Sequence, residues 1–143
     1  MTWEETIQFI RREPGFENLI RDAYFDPDLS KNTERFRTSE EYIETLRLIK
    51  KYAPQGKRIL DIGSGNGISC IAFALNGYQI DTVEPDPSNT IGAGAIQLQK
   101  EYYGLKNITI HQDYAENISF DDNTFDIVYL RQSMHHANDL NKF

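Results

Sequence analysis

Apolar residues recur at helical spacing near the start of the chain. Trp3, Ile7 and Ile10 fall on one side of residues 2–12, with Thr2 as a cap and Glu5 three positions on. Pro14-Gly15 breaks this helix, and a second helical stretch covers residues 16–23. Residues 24–39, YFDPDLSKNTERFRTS, carry turn formers throughout and read as an extended loop. Ser39-Glu40-Glu41-Tyr42 opens another helix. Its apolar face is Tyr42, Leu46 and Ile49, and Lys50-Lys51 in the last turn suit the helix dipole. Pro54-Gln55-Gly56 ends it.

Beyond Gly56 the pattern changes. RILDIG is a short apolar run closed by glycine, and ISCIAFALNG reads as a helix ending at Gly77. YQIDTVE is a second strand. SNTIGAGAIQLQKEYYG is a helix weakened by Gly92 and Gly94, each costing about 1 kcal/mol relative to Ala. NITIHQD and FDIVYLR are the third and fourth strands, and a further helix is expected from Ala137. Strands alternating with helices predict parallel pairing, because each connection must cross over the sheet. Near-continuous apolar strands predict cover on both faces. The expected class is α/β, a doubly wound parallel sheet with a helical N-terminal extension. Residues 1–52 would form that extension and residues 53–143 the sheet domain.

The length of 143 residues suits one domain with its own core. Against 15 basic residues stand 22 acidic ones, a net charge of −7, which argues against nucleic acid as the default partner. Cys70 is the single cysteine, so neither an intramolecular disulfide nor a multi-cysteine metal site is expected. Its place on an apolar helix face marks it as a buried small hydrophobe. No run is long enough to span a membrane and the N-terminus has no apolar signal core. A reducing, cytoplasmic setting follows.

The chemistry concentrates in Asp61-Ile62-Gly63-Ser64-Gly65-Asn66-Gly67, where a strand runs into three alternating glycines and then a helix. Glycine allows positive φ and close backbone approach to a ligand. The helix start adds unpaired N–H groups. A tight turn without a ligand is the plain alternative. Glu84, 21 positions after Gly63, favours a ligand. An acidic residue about 20 positions on, at the tip of the second strand, is placed to accept from ribose hydroxyls. The dinucleotide pattern G-x-G-x-x-G/A fits in neither register, since its third position falls on Ile68 or Cys70. Asp61 would repel a pyrophosphate and suit an ammonium. The loop therefore points away from NAD, towards an adenosine ribose joined to an amino-acid group.

LDIGSGNG, TVEPD and QDYAENISFDDNTFDIVYLRQSMHH together resemble a class I S-adenosylmethionine-dependent methyltransferase, nearest to the small-molecule ubiquinone and menaquinone C-methyltransferase type. The resemblance covers residues 57–139. It implies a Rossmann-like sheet of order 3-2-1-4 and S-adenosylmethionine as cofactor. Asp61 would orient the methionine amino group, and Gly63, Ser64, Gly65 and Gly67 would underlie methionine and ribose. Glu84 would bind the ribose diol and Pro85 would lie along the adenine. Asp113 would accept from the adenine amine with Tyr114 beside it, although a cap before AENI explains Asp113 equally well. Arg131 and Gln132 would border the transferring methyl. Either His135 or His136 could act as a base, against packing or helix initiation as the plain alternative. His111 reads as structural. Tyr24 or Arg37 could reach the cofactor carboxylate, against a polar loop anchored by aromatics.

The resemblance also bears on length. Family members form seven strands, which takes roughly another 80–100 residues at ~30 or more per βαβ unit. Phe143 is thus expected to mark a cut after strand four. That strand would be left as an apolar edge to be covered by a second copy or a partner chain. A methyl transferase acting on a small acceptor is the expected function. A cofactor-binding module without turnover, or an NAD-dependent oxidoreductase, are the alternatives.

Overall fold

The structure is a computed structural model of the chain, and it describes residues 1–142. Four helices precede the sheet: α1 (Trp3–Arg12), α2 (Glu17–Asp22), α3 (Leu29–Arg37) and α4 (Glu40–Tyr52). The Thr2–Glu5 capping box starts α1, and the Ser39 hydroxyl accepts from Tyr42 N to start α4. Helix α3 corrects the reading of residues 24–39 as an extended loop. Its N-cap is Asp28, which accepts from Ser30 N. Its one buried apolar residue is Phe36, and it buries Asn32 and Thr33 beside it, so no apolar stripe announces it.

The remaining elements are β1 (Arg58–Ile62), α5 (Ile68–Leu75), β2 (Gln79–Val83), α6 (Ala93–Tyr102), β3 (Ile108–His111) and β4 (Ile127–Leu130). All pairs are parallel and the order is β3-β2-β1-β4. Helix α6 starts later than its sequence pattern. Gly92 is its N-cap, and a Cβ at that position would overlap the Asp86 carbonyl. No α-helix follows Ala137 within the described residues. Met134–His136 forms a single 3-10 turn instead, and the Glu116 carboxylate accepts from Asn138 N and Asp139 N at 2.6 and 3.3 Å.

Side-chain alternation divides the sheet into two faces. Ile59, Ile80 and Ile108 meet α5 and Ile96 of α6 on one face. Phe36 and Tyr42 join them, with rings 5.2 Å apart, and Tyr42 continues to Phe73 at 5.5 Å. The Tyr42 hydroxyl donates to the Ala72 carbonyl at 2.9 Å. Cys70 is fully buried in this cluster, as its helix position predicts. On the other face Leu60, Ile62 and Val83 pack under Ala115, Ile118, Phe120 and Phe125 of the β3–β4 connection. Asp81 crosses that face, meeting His111 at 2.9 Å and Arg58 at 3.3 Å. His111 is therefore structural. No described helix is long and apolar enough to cross a membrane.

Candidate cofactor site

Asp61, Gly63, Thr82 and Glu84 share the face that α5 covers, at the C-terminal ends of β1 and β2. Open α/β sheets bind ligands beyond these strand ends. The loop after β1 needs its glycines. Gly63, Gly65 and Gly67 have φ of 71°, 56° and 88°. A Cβ on Gly63 would overlap Ser133 Cβ, and one on Gly67 would come within 2.8 Å of Ile96. Gly65 faces more open space, with Ile91 O at 3.7 Å from that position.

Asp61 is fully buried. Its Oδ2 accepts from Ser69 Oγ at 2.6 Å, whereas Oδ1 has no partner among the described residues. Burial pushes its pKa up to about 6, against the pull of the Ser69 hydrogen bond. Glu84 is also buried. Its Oε2 accepts from Gly65 N at 2.7 Å and its Oε1 from Asp86 N at 2.9 Å. Burial pushes its pKa up to about 7, against these two backbone hydrogen bonds. The Ser64 hydroxyl bonds Thr82 Oγ1, which ties the loop to β2. The spacing of Asp61, the glycines and Glu84 in sequence thus becomes one continuous rim.

Pro85 and Tyr114 line a cleft of about 670 Å³ with Thr2, Glu4 and Asp86. Tyr114 is exposed there. Asp113 Oδ1 accepts from Tyr114 N at 2.7 Å and Asn117 Nδ2 at 2.9 Å, beside the 3-10 turn Ala115–Asn117. The Asn117 hydrogen bond, followed by that of Tyr114, holds its pKa below the usual range. Arg131 pairs with Glu41 at 2.7 and 3.0 Å and lies 5.5 Å from the Tyr24 and Phe36 rings. Gln132 takes a positive φ of 55°. His135 and His136 are exposed, with ring centroids 3.9 Å apart. Arg37 pairs with Glu34 on its own helix at 3.0 Å.

Sequence reasoning passes over four polar residues that build this rim: Asn66, Ser69, Thr82 and Ser133. All four are buried. Asn66 Nδ2 donates to Tyr24 O at 2.7 Å, and Asn66 O accepts from Gln99 Nε2 at 2.7 Å. Gln99 Oε1 in turn accepts from Thr33 Oγ1 at 2.5 Å. The N-terminal helices are thereby bonded to the glycine loop through buried groups. Alternation along β2 could have pointed to Thr82, since it shares a face with Glu84.

A parallel sheet with a glycine loop and paired buried carboxylates at its strand ends defines a Rossmann-like protein with a nucleotide-type cleft. The sequence model of the methyltransferase-domain family matches residues 33–143, and the chain belongs to that family. It is similar to the uncharacterized methyltransferase YcgJ of Bacillus subtilis, 32% identical over 117 residues, covering 79% of this chain and 45% of that protein. The crystal structure of YcgJ superposes with a TM-score of 0.58 at 27% identity, over 71% of this chain and 42% of that one. A putative S-adenosyl-L-methionine-dependent methyltransferase from Methanococcus maripaludis gives 0.60 at 26% identity, over 82% and 55%. The chain spans less than half the length of the curated relatives it matches.

Proposed function

We propose that this chain binds S-adenosylmethionine at the ends of β1 and β2 and forms the cofactor-binding part of a cytoplasmic small-molecule methyltransferase. The observation that carries this is the buried pair Asp61 and Glu84, flanking a loop whose glycines keep side chains out. The fit is chemical. Asp61 Oδ1 is a buried anionic acceptor without a partner among the described residues, which suits an ammonium. Glu84 retains lone pairs beyond the two that Gly65 N and Asp86 N occupy, enough for a hydroxyl pair.

The chemistry the cofactor supplies when bound is an electrophilic methyl on a sulfonium. The residues hold and align. Asp61 would take the amino group, and the loop Gly63-Ser64-Gly65 with Gly67 would support methionine and ribose. Glu84 would accept from both ribose hydroxyls. Pro85 and Tyr114 would flank the adenine in the cleft they line, and Asp113 would offer Oδ2 to its amine. Arg131, held by Glu41, and Gln132 would border the acceptor. His135 or His136, exposed beyond β4, would take a proton from an acceptor that must lose one. Rate enhancement would come chiefly from proximity and alignment. Residues 1–52 would act as the helical cover of the site, and a strand from a second chain would cover the outer edge of β4.

Calorimetric titration with S-adenosylhomocysteine tests the reading. The wild-type chain should bind, and Glu84→Ala should weaken binding by roughly 10-fold to 100-fold, the worth of hydrogen bonds to a charged group. Equal affinity of both proteins, or no heat from either, would overturn it.

A further inference from the structure

Helix α6 buries Ala93, Ala95, Ile96 and Gln99. Gln99 is the polar member of that set and is 2% exposed. A buried amide is tolerated where both of its ends are bonded. Its Oε1 accepts from Thr33 Oγ1 of α3 at 2.5 Å, and its Nε2 donates to Asn66 O at 2.7 Å. A carbonyl can only accept, so the amide has one orientation. A methionine of similar size would fill the same space but would leave Asn66 O without this donor.

Asn66 lies between two glycines of positive φ, Gly65 at 56° and Gly67 at 88°. Glycine takes either sign of φ at little cost, so the stereochemistry of the loop leaves the Asn66–Gly67 peptide free to turn over. Hydrogen bonds must fix it instead. Its N–H is held within the loop, where Gly67 N donates to Ser64 O at 2.9 Å. Its carbonyl is held from outside, by Gln99. One residue earlier, Gly65 N is held from outside by Glu84 at 2.7 Å. The loop is therefore clamped at neighbouring residues by the end of β2 and by α6.

We propose that Gln99 is a positioning residue for the cofactor site, setting the Asn66–Gly67 peptide and through it the glycine loop. This rests on the cofactor reading above and adds a residue that neither the sequence pattern nor the family match assigns. Gln99 acts through Asn66 and is not among the residues proposed to touch the ligand. Thr33 has the lesser part. Its hydroxyl satisfies Oε1 and ties the amide to α3, but the donor that reaches the loop is Nε2. A fully bonded buried network of this kind selects one conformation where apolar packing would admit several. The loop is then already in its binding form before a ligand arrives, and less affinity is lost to ordering it.

Two substitutions of similar volume separate positioning from packing. Gln99→Met removes the donor to Asn66 O, whereas Thr33→Val removes only the bond on the other end of the Gln99 amide. Both should lower the ligand-free thermal midpoint. In calorimetry at a temperature where both are folded, Gln99→Met should bind S-adenosylhomocysteine about tenfold more weakly than the wild-type chain, and Thr33→Val should stay within about twofold of it. Equal losses of affinity in the two variants, or none in Gln99→Met, overturn the role of Gln99. Should the methionine variant fail to fold, the wild-type chain carries the test without a substitution. The Gln99 side-chain amide resonances should move on titration with S-adenosylhomocysteine. Those of Asn107, bonded to Ala74 O and Tyr78 O at 2.9 and 2.7 Å, should stay in place. A static Gln99 amide beside shifting Gly65 and Gly67 resonances overturns the proposal as well. Absence of both heat and loop shifts in the wild-type chain overturns the cofactor reading itself.

Discussion

The tips of β1 and β2 and the segment beyond β4 stand on the same edge of the sheet, yet they are built differently. At β1 and β2 the functional groups are buried, and each is fixed by a neighbour: Ser69 on Asp61, Gly65 and Asp86 on Glu84, Thr82 on Ser64. Beyond β4, Gln132, His135 and His136 are exposed, and the chain is held by Arg131 with Glu41 and by Glu116 with Asn138. Preorganised groups in a dry site recognise one ligand strongly. Exposed groups on short turns accommodate varied partners. On the proposed function, the first region would hold a constant ligand and the second would meet a variable one.

Gly63→Ala should strike this contrast hardest. It forces a side chain into a left-handed φ and into Ser133, costing about 3 kcal/mol when strain and overpacking are combined. Urea denaturation should show the drop. A shift below ~1 kcal/mol would mean that the loop yields easily and is not preorganised.

Next comes a pH effect confined to the first region. Asp61 and Glu84 have pKa values raised in the folded state to about 6 and about 7. Folding therefore retains protons that the unfolded chain gives up nearer pH 4. The stability these groups favour is fully present below the unfolded values. It is lost as pH rises through about 6 and then about 7. The ligand-free urea midpoint should fall between pH 5 and pH 7.5, and Glu84→Gln should flatten the upper part of that fall. A midpoint that rises across the window would contradict the burial of both carboxylates.

The smallest effect belongs to the second region. His135→Ala and His136→Ala should each change stability by less than ~0.5 kcal/mol, as exposed substitutions do. They should leave S-adenosylhomocysteine affinity unchanged. A large loss of affinity in either variant would erase the distinction between the two regions.

The legibility of the chain follows the same division. The run from Ile59 to Gly67, with Glu84 beyond it, was readable because backbone geometry demands glycine there and burial demands apolar strands. Helix α3 was not, because a buried pair of polar residues, Asn32 and Thr33, replaces the apolar stripe. Asn32 instead trades hydrogen bonds with the backbone of Asp26, and Thr33 reaches Gln99 on another helix. The expected helix after Ala137 is absent among the described residues, where the Glu116 side chain, 22 residues away, accepts from the backbone N–H of Asn138. Ser133 and Asn66 were invisible for the same cause, since contacts across the fold leave no periodic signal. Asp113 was readable only as a carboxylate after the third strand, and its hydrogen bonds to Tyr114 N and Asn117 Nδ2 are local contacts that no spacing announces.

The most direct test of the account is an amide proton–nitrogen spectrum of the wild-type chain titrated with S-adenosylhomocysteine. The account predicts saturable shifts at Gly63, Gly65, Gly67 and Glu84, with Asp126 and Lys57 at the opposite ends of the strands unmoved. Absence of shifts in the glycine loop at saturating ligand, or the same shifts produced by NADH instead, would contradict it.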